Sequence, residues 1–167
     1  MALVVEDGTG LPNADSYLSI VDADAYHASH GAPVAWTGDK ETALRRATQY
    51  LDAVYGQRWK GTRLEDDQAL DWARDDVEVD SVILDAAPLP RALKEACAEL
   101  ALRHLTEASG LLPDVDTERD VASESVDVGP ISVSTSYAGA KPTYKRFSIV
   151  EALLRRLLLP AGRLVRI

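Results

Sequence analysis

The chain has 167 residues, 46% of them hydrophobic, and a formal net charge of −9 at pH 7. This length and apolar content are typical of a globular domain with a sizeable core rather than of a disordered chain. The excess of acids argues against a generally nucleic-acid-binding surface, because phosphate contacts need clustered Lys and Arg, so any DNA contact has to be local.

The single cysteine, Cys97, excludes an internal disulfide and falls at an apolar position of a predicted helix, where free cysteine packs as a small hydrophobe. The N-terminal apolar run is too short for a signal sequence, and no segment approaches the ~20 apolar residues of a membrane span. We therefore expect a soluble protein made in a reducing cytoplasm, with no membrane contact.

Two helices are predicted in the first third of the chain. Ser19 is a suitable N-cap and Gly31 a suitable stop, which predicts a helix over about 20–30. The second helix has a clearer pattern, because Asp39 can cap a run in which apolar residues recur every three or four positions until Gly56.

The middle of the chain is predicted to be acidic and largely irregular. Residues 57–63 form a basic loop that carries Trp59, and 66–72 are expected to form a short helix. Glu65 to Asp85 contains nine acids and one base with apolar residues interspersed, which indicates an exposed acidic loop with a strand-like piece. The candidate acidic face comprises Glu65, Asp66, Asp67, Asp75, Asp76 and Glu78.

The strongest helical pattern lies over 90–108, where proline opens the first turn and apolar residues line one wide face. Alternating side chains around a Gly-Pro pair predict a β-hairpin near 121–137. Ser148 with Glu151 resembles a capping box that opens a last amphipathic helix, which Pro160 ends. These elements predict a mainly α fold: a helical bundle of about four to five helices with a small β-hairpin and an extended C-terminal tail.

The C-terminal end differs in charge from the rest of the chain. Residues 141–167 hold seven Lys or Arg and one acid, whereas the first 140 residues hold eleven bases and 26 acids. Such asymmetry suggests that this end meets a partner. We expect a single domain over 1–159 and a docking tail over 160–167, whose candidate contact residues are Arg163, Leu164, Val165, Arg166 and Ile167.

Metal and catalytic chemistry find little support in the sequence. Asp24, His27 and His30 fall three apart on a predicted helix, but no fourth ligand is evident, and such histidines more often serve as surface or capping residues. No nucleophile is paired with a base, and an acidic run is usually a solvated face. We therefore expect no enzyme, no catalytic residues, no cofactor and no bound metal.

One cluster is a candidate platform for single-stranded nucleic acid. Arg58, Trp59, Lys60 and Arg63 lie close together in the sequence, and aromatic rings beside cations are typical of surfaces on which bases stack. The neighbouring acids would repel phosphate. The alternative interpretation is that the aromatic residues anchor irregular loops to the helices.

The order of several segments resembles a known family over nearly the whole chain. These segments are LVVEDGTGLPNADSYLS followed by DADAYHASHG, ETALRRATQYLDAVYG running into QRWKGTRL, QALDWAR, LPRALKEACAELALR, and VGPISVSTSY. They resemble proteins of tailed bacteriophages and prophages that are often labelled DnaT-like single-stranded-DNA-binding and that look like head–tail connectors or adaptors. At the position after QALDWA such proteins often carry a proline, whereas this chain has Arg74.

The resemblance implies a structural virion protein: a ring, a dodecamer, at the virion neck between the portal protein and a stopper or tail-completion protein. Double-stranded DNA would pass through the ring without tight binding, so the acidic face would suit a channel lining, because like charge prevents adhesion. The apolar and basic tail would suit docking on the portal. The alternative is a replication-associated protein that binds single-stranded DNA with the cluster around Trp59.

Overall fold

The structure is a computed structural model that describes residues 2–107, 110–111, 123–128, 131–136 and 147–160. Within these residues there are four α-helices: α1 (Ile20–Ser29), α2 (Lys40–Tyr55), α3 (Arg91–Thr106) and α4 (Ser148–Leu154). Six short strands pair as three two-stranded antiparallel sheets: β1 (Thr62–Arg63) with β2 (Arg74–Asp75), β3 (Val77–Val79) with β4 (Val82–Leu84), and β5 (Ser123–Val128) with β6 (Ile131–Ser136).

The described chain divides into two compact units. One comprises residues 1–111 together with 146–167, and the other comprises residues 112–145. The second unit holds the β5–β6 hairpin, in which six residues of each strand are paired. The hairpin predicted near 121–137 is therefore present, while the division into a domain over 1–159 and a C-terminal tail stays a prediction.

The first two helices begin where their sequences predict. The Ser19 hydroxyl accepts a hydrogen bond from the Asp22 backbone N–H at 3.1 Å, and the Asp39 carboxylate accepts one from the Thr42 backbone N–H at 3.1 Å. Each side chain satisfies a backbone donor that the start of a helix leaves without an intrahelical partner. The predicted caps of α1 and α2 are confirmed.

Helices α2 and α3 supply the centre of the core, and both have 16 residues. Leu44 and Leu51 of α2 are completely buried, as are Leu93 and Leu100 of α3. Full burial of each such side chain stabilises the fold by about 1.5–3 kcal/mol. Cys97 is buried on the same face of α3 as predicted, and burial raises the pKa of its thiol to about 12.

The prediction of a mainly α helical bundle is wrong. α1 and α4 have only 10 and 7 residues, and the long connection between α2 and α3 contains a 3-10 helix at Gly56–Arg58 and two small sheets. The short helix predicted over 66–72 is not formed. Trp36, Trp59 and Trp72 enter the core from non-helical segments. Helical periodicity cannot identify such core residues, because an irregular segment has no fixed side-chain period.

The last helix begins differently from its prediction and is shorter. Phe147, without a side-chain hydrogen bond, occupies the N-cap position, so Ser148 does not cap the helix. The helix ends at Leu154, although the apolar pattern continues for several residues. The reason is that the backbone of residues 157–159 forms hydrogen bonds with 58–60 instead of continuing the helix.

A buried carboxylate organises the turn near the N-terminus. Glu6 is only 2% exposed and accepts hydrogen bonds from the backbone N–H groups of Gly8, Gly10 and Leu11, each at 2.9 Å. Both glycines have positive φ, at 106° and 80°, which glycine adopts without steric cost. The Leu11 carbonyl in turn accepts from the Ala69 N–H at 3.0 Å, so this turn is tied to the long connection between α2 and α3.

Candidate nucleic-acid interface

The segment after α4 lies beside the segment that follows α2. The Lys60 backbone N–H donates to the Leu157 carbonyl at 3.0 Å, and the Leu159 N–H donates to the Arg58 carbonyl at 2.7 Å. These two hydrogen bonds align the two segments antiparallel. They bring the predicted basic loop next to residues 157–159, although the two segments are far apart in the sequence.

A groove of about 440 Å³ forms at this junction, and three of the described residues that line it have cationic side chains. We call it the cationic groove and define its cations as Arg58, Lys60 and Arg155. One acid, Glu151, also lines it. The remaining lining residues are apolar: Leu158, Leu159 and Pro160.

The three cations differ in how they are held. The Arg58 guanidinium lies 6.0 Å from the centroid of the Tyr55 ring, and its Nε–H is buried without a hydrogen-bond partner among the described residues. The Lys60 ammonium donates to the backbone carbonyl of Glu78 at 2.9 Å. Arg155 is exposed on the last turn after α4. The groove thus combines one partly anchored lysine with two arginines.

Two nearby arginines are engaged elsewhere. Arg156 forms an ion pair with Asp80 at 2.8 Å, and both side chains are largely exposed. The Arg63 guanidinium donates to the Gln68 carbonyl and does not line the groove. The structure therefore brings two of the four predicted platform residues, Arg58 and Lys60, to the groove and leaves Arg63 outside it.

Trp59, the aromatic centre of the predicted platform, is only 3% exposed. Its ring centroid lies 6.0 Å from that of Tyr55 and 5.9 Å from that of Trp72, the latter edge to face. Stacking of a base requires an accessible ring face. In this structure Trp59 anchors its loop to the core, in agreement with the alternative interpretation of the cluster, and only the basic side chains beside it are available to a ligand.

All six side chains of the predicted acidic face are exposed, and they lie on the connection between α2 and α3. That these acids line a DNA channel stays a prediction. The six residues are Glu65, Asp66, Asp67, Asp75, Asp76 and Glu78.

The docking tail predicted over 160–167 lies, after Pro160, outside the described residues. Its proposed contact with a portal stays a prediction. The candidate contact residues concerned are Arg163, Leu164, Val165, Arg166 and Ile167.

The candidate metal ligands of α1 have other partners. The Asp24 carboxylate accepts hydrogen bonds from Trp36 Nε1 at 2.6 Å and from Lys40 Nζ at 2.7 Å, and His27 Nε2 lies 3.2 Å from the Ala98 carbonyl oxygen. In the part of the chain that the structure describes, no group of three or more His, Cys, Asp or Glu is placed to hold a metal ion. None of its described helices has the length and apolar character needed to cross a membrane.

The structure also contains a buried polar cluster that sequence analysis missed. The Tyr17 hydroxyl donates to Asp52 Oδ1 at 2.5 Å and accepts from the Trp72 N–H at 3.2 Å. Burial raises the pKa of the Asp52 carboxyl to about 7, and the neighbouring Asp71 carboxylate contributes in the same direction. No local pattern could identify this pair, because Tyr17 and Asp52 are 35 residues apart.

In a comparison with known families, a family model matches residues 1–167. The description of the matching family is "Putative DnaT-like ssDNA binding protein". Searches among curated proteins and among solved structures gave no significant match. The family match extends over the whole sequence, so it does not depend on a single motif.

Proposed function

The chain belongs to this DnaT-like family, and from that membership together with the cationic groove we propose that it binds single-stranded DNA. The observation that carries the proposal is the convergence of Arg58, Lys60 and Arg155 on one groove. Phosphate contacts supply most of the affinity of sequence-independent binding, and they require such a local group of cations.

The chemistry of the groove suits the backbone of a single strand. Arg58 and Arg155 offer planar guanidinium groups, which hydrogen-bond phosphate oxygens in a fixed geometry, and Lys60 offers a point charge. Leu159 and Pro160, which are not buried, provide an apolar wall for a sugar or base edge. Since Trp59 is buried, base stacking on it does not contribute, and the interaction is mainly electrostatic.

The expected affinity is modest. Three phosphate contacts on a single strand predict that log K falls with log salt with a slope of about −2, at about −0.7 for each contact. The net charge of −9 adds repulsion outside the groove. We therefore expect dissociation constants in the range of non-specific binding, about 10⁻⁴ to 10⁻⁶ M at physiological salt.

The proposal is tested by fluorescence anisotropy with a labelled oligothymidylate. Lys60→Ala with Arg155→Ala should weaken binding at least tenfold at low salt, whereas Arg46→Ala, which removes an exposed arginine of α2, should leave it close to wild type. Polyglutamate and duplex DNA serve as competitors. If polyglutamate competes as well as unlabelled single-stranded DNA, or if the double substitution has no effect on binding, single-stranded DNA is not the ligand of this groove.

A second candidate function is that of a structural head–tail connector, which forms a ring between portal and tail proteins at a virion neck. It is favoured by the exposed acids of the connection between α2 and α3 and by two exposed apolar residues, Val82 and Ile83. A ring that DNA traverses needs a surface that repels phosphate. Neither candidate function requires catalysis.

The connector proposal has its own test. We expect the protein to co-purify with virions, and we expect deletion of residues 163–167 to abolish joining to the portal while the subunit stays folded by circular dichroism. A truncated protein that still assembles on portals would show that the tail is not the docking element. Absence of the protein from purified virions would contradict the connector function itself.

A further inference from the structure

The β3–β4 hairpin presents apolar side chains to solvent. Val82 is 60% exposed and Ile83 is 65% exposed, although isoleucine and valine are among the residues most often buried. Val77 at the base of the same hairpin is completely buried, so the hairpin is anchored to the core at one end. In the described part of the chain, the β3–β4 ladder has no third strand. Because Val82 and Ile83 are consecutive in β4, they lie on opposite faces of the hairpin. The apolar surface of this anchored hairpin therefore comprises one exposed side chain on each face of the β4 edge, which carries no third strand among the described residues.

Acidic side chains surround this apolar surface. Glu78 lies opposite Ile83 in the ladder, Asp80 lies in the turn, and Asp85 directly follows β4; all three are exposed. Arg156 of the same chain forms an ion pair with Asp80 at 2.8 Å, which shows that an arginine can approach this rim. A partner for the hairpin should therefore be apolar, basic and able to pair as an extended strand.

One segment of this chain has that chemistry. Residues 161–167 read AGRLVRI, with two arginines, three large aliphatic residues and no acid. They follow Pro160, the last residue that the structure describes. We propose that the β3–β4 hairpin is a self-association site that binds residues 161–167 of a second copy of the chain as an added strand. Arg163 and Arg166, three residues apart, then lie on opposite faces of that strand, and both are near the acidic rim.

The direction of the described backbone favours a second copy over the chain's own end. The Lys60 backbone N–H donates to the Leu157 carbonyl, and the Lys60 ammonium donates to the Glu78 carbonyl of β3. Residue 157 therefore lies on the hairpin side of the junction. The Leu159 backbone N–H donates to the Arg58 carbonyl. From residue 157 to residue 159 the segment after α4 therefore runs from Lys60 towards Arg58, away from the hairpin. A chain that continued in this direction would have to reverse before it could reach its own β3–β4 edge.

The first experiment measures the mass of the full chain by analytical ultracentrifugation between about 1 and 100 μM, a range in which weak self-association is detected. We expect wild type to associate as concentration rises, and Val82→Ser with Ile83→Ser to remain monomeric. Val34→Ser is the matched control, because Val34 is 92% exposed but lies outside the hairpin. Circular dichroism checks that each variant is folded.

The second experiment tests the charge pairing. Arg163→Glu with Arg166→Glu should abolish association, as should Glu78→Lys with Asp85→Lys. The protein that combines all four substitutions should associate again, because the tail then carries the acids and the hairpin the bases, so that opposite charges meet as in wild type. Recovery of association by the combined variant is a result that general loss of stability cannot produce.

The third experiment separates exchange between copies from docking within one copy. The hairpin variant keeps an intact segment 161–167, and the tail variant keeps an intact hairpin. An equimolar mixture should therefore contain dimers, although each variant alone is monomeric. A wild-type protein that stays monomeric at every concentration, a tail variant that associates like wild type, or a mixture without dimers would overturn the proposal. Single-stranded DNA binding is measured separately, so its loss would not affect this result.

Discussion

The Leu159 backbone N–H donates a 2.7 Å hydrogen bond to the Arg58 carbonyl, which joins the segment after α4 to the basic loop after α2. This contact has two consequences. It ends the last helix earlier than the apolar pattern predicts, and it places Arg155 in the same groove as Arg58 and Lys60. The candidate DNA site is therefore a product of tertiary structure, not of a linear motif.

The first prediction concerns the number of phosphates that the groove contacts. Arg155→Ala should weaken binding to a single-stranded oligonucleotide and reduce the salt slope by about 0.7, because one cation contributes about that much on a single strand. Titrations between about 20 and 150 mM salt give the slope. Arg46→Ala on α2 makes the same change in net charge. If that variant loses as much affinity and salt slope as Arg155→Ala, the loss is due to overall charge rather than to the groove.

The second prediction concerns base stacking. All three tryptophans are at least nine-tenths buried, with Trp59 at 3% exposure. Saturation with single-stranded DNA should therefore leave the intrinsic tryptophan emission nearly unchanged, since quenching by a base requires direct contact with a ring. If strong quenching occurs and Trp59→Phe removes it, the ring is accessible in the complex and the stacking platform, rather than the cationic groove alone, is the binding surface.

The third prediction concerns stability and pH. An unfolded aspartate has a pKa of about 3.9, whereas burial raises the pKa of Asp52 in the folded protein to about 7. Between these values the folded state binds more protons than the unfolded state, so the contribution of Asp52 to stability is present below pH ~4 and is lost as pH rises to about 7. Asp52→Asn should remove this loss.

Urea denaturation at several pH values measures the effect. We compare the free energy of unfolding of Asp52→Asn with that of wild type at each pH. This difference should shift in favour of Asp52→Asn by about 1–3 kcal/mol between pH 4 and pH 8. Tyr17 can still donate to the amide oxygen of the variant. Asp85→Asn changes the net charge equally at an exposed position and should follow the wild-type profile. If the stability of Asp52→Asn changes with pH in parallel with that of wild type, the assignment of a raised pKa to Asp52 is contradicted.

The fourth prediction concerns the close approach of Gly61 to β2. Gly61 has a φ of +69°, and a Cβ built there would overlap the Asp75 carbonyl oxygen and lie 2.9 Å from a methyl carbon of Val77. Gly61→Ala should therefore destabilise the fold by about 3 kcal/mol or more, since it combines backbone strain with a backbone clash.

Gly31→Ala is its matched control. Gly31 also has a positive φ, of +99°, but apart from Gly31 and its chain neighbours no heavy atom of the described residues lies within 4 Å of a Cβ at that position. This substitution should cost only the strain of the left-handed backbone, about 1–2 kcal/mol. Denaturation midpoints compare the two variants, and equal losses would show that the connection between α2 and α3 relaxes around an added methyl group.

The sequence was sufficient to predict the local features of the fold. Ser19 and Asp39 cap their helices through their own side chains, and the helical period of α3 places Cys97 in the core. The β5–β6 hairpin was likewise evident from alternation around one turn. Each of these features depends on residues that are close in the sequence, where propensity and periodicity apply.

The features that the sequence did not predict depend on distant contacts. Trp59 lies in the basic loop, where the local sequence allows both a stacking platform and an anchor to the core, and its packing with Tyr55 and Trp72 makes it an anchor. The end of α4 is set by pairing with residues 58–60, and the raised pKa of Asp52 results from its burial by distant segments, with the Asp71 carboxylate contributing in the same direction. Local patterns contain no information about which segments meet. They could therefore neither exclude a helical bundle nor decide between a stacking platform and an anchor at Trp59.

The most direct test of the central claim is the salt dependence of oligonucleotide binding by the wild-type chain. We predict measurable binding of single-stranded DNA at low salt, with a slope of log K against log salt near −2, as about three phosphate contacts require. A slope near zero, or no binding at about 20 mM salt and about 100 μM protein, would contradict the proposal that the cationic groove holds the phosphate backbone of single-stranded DNA.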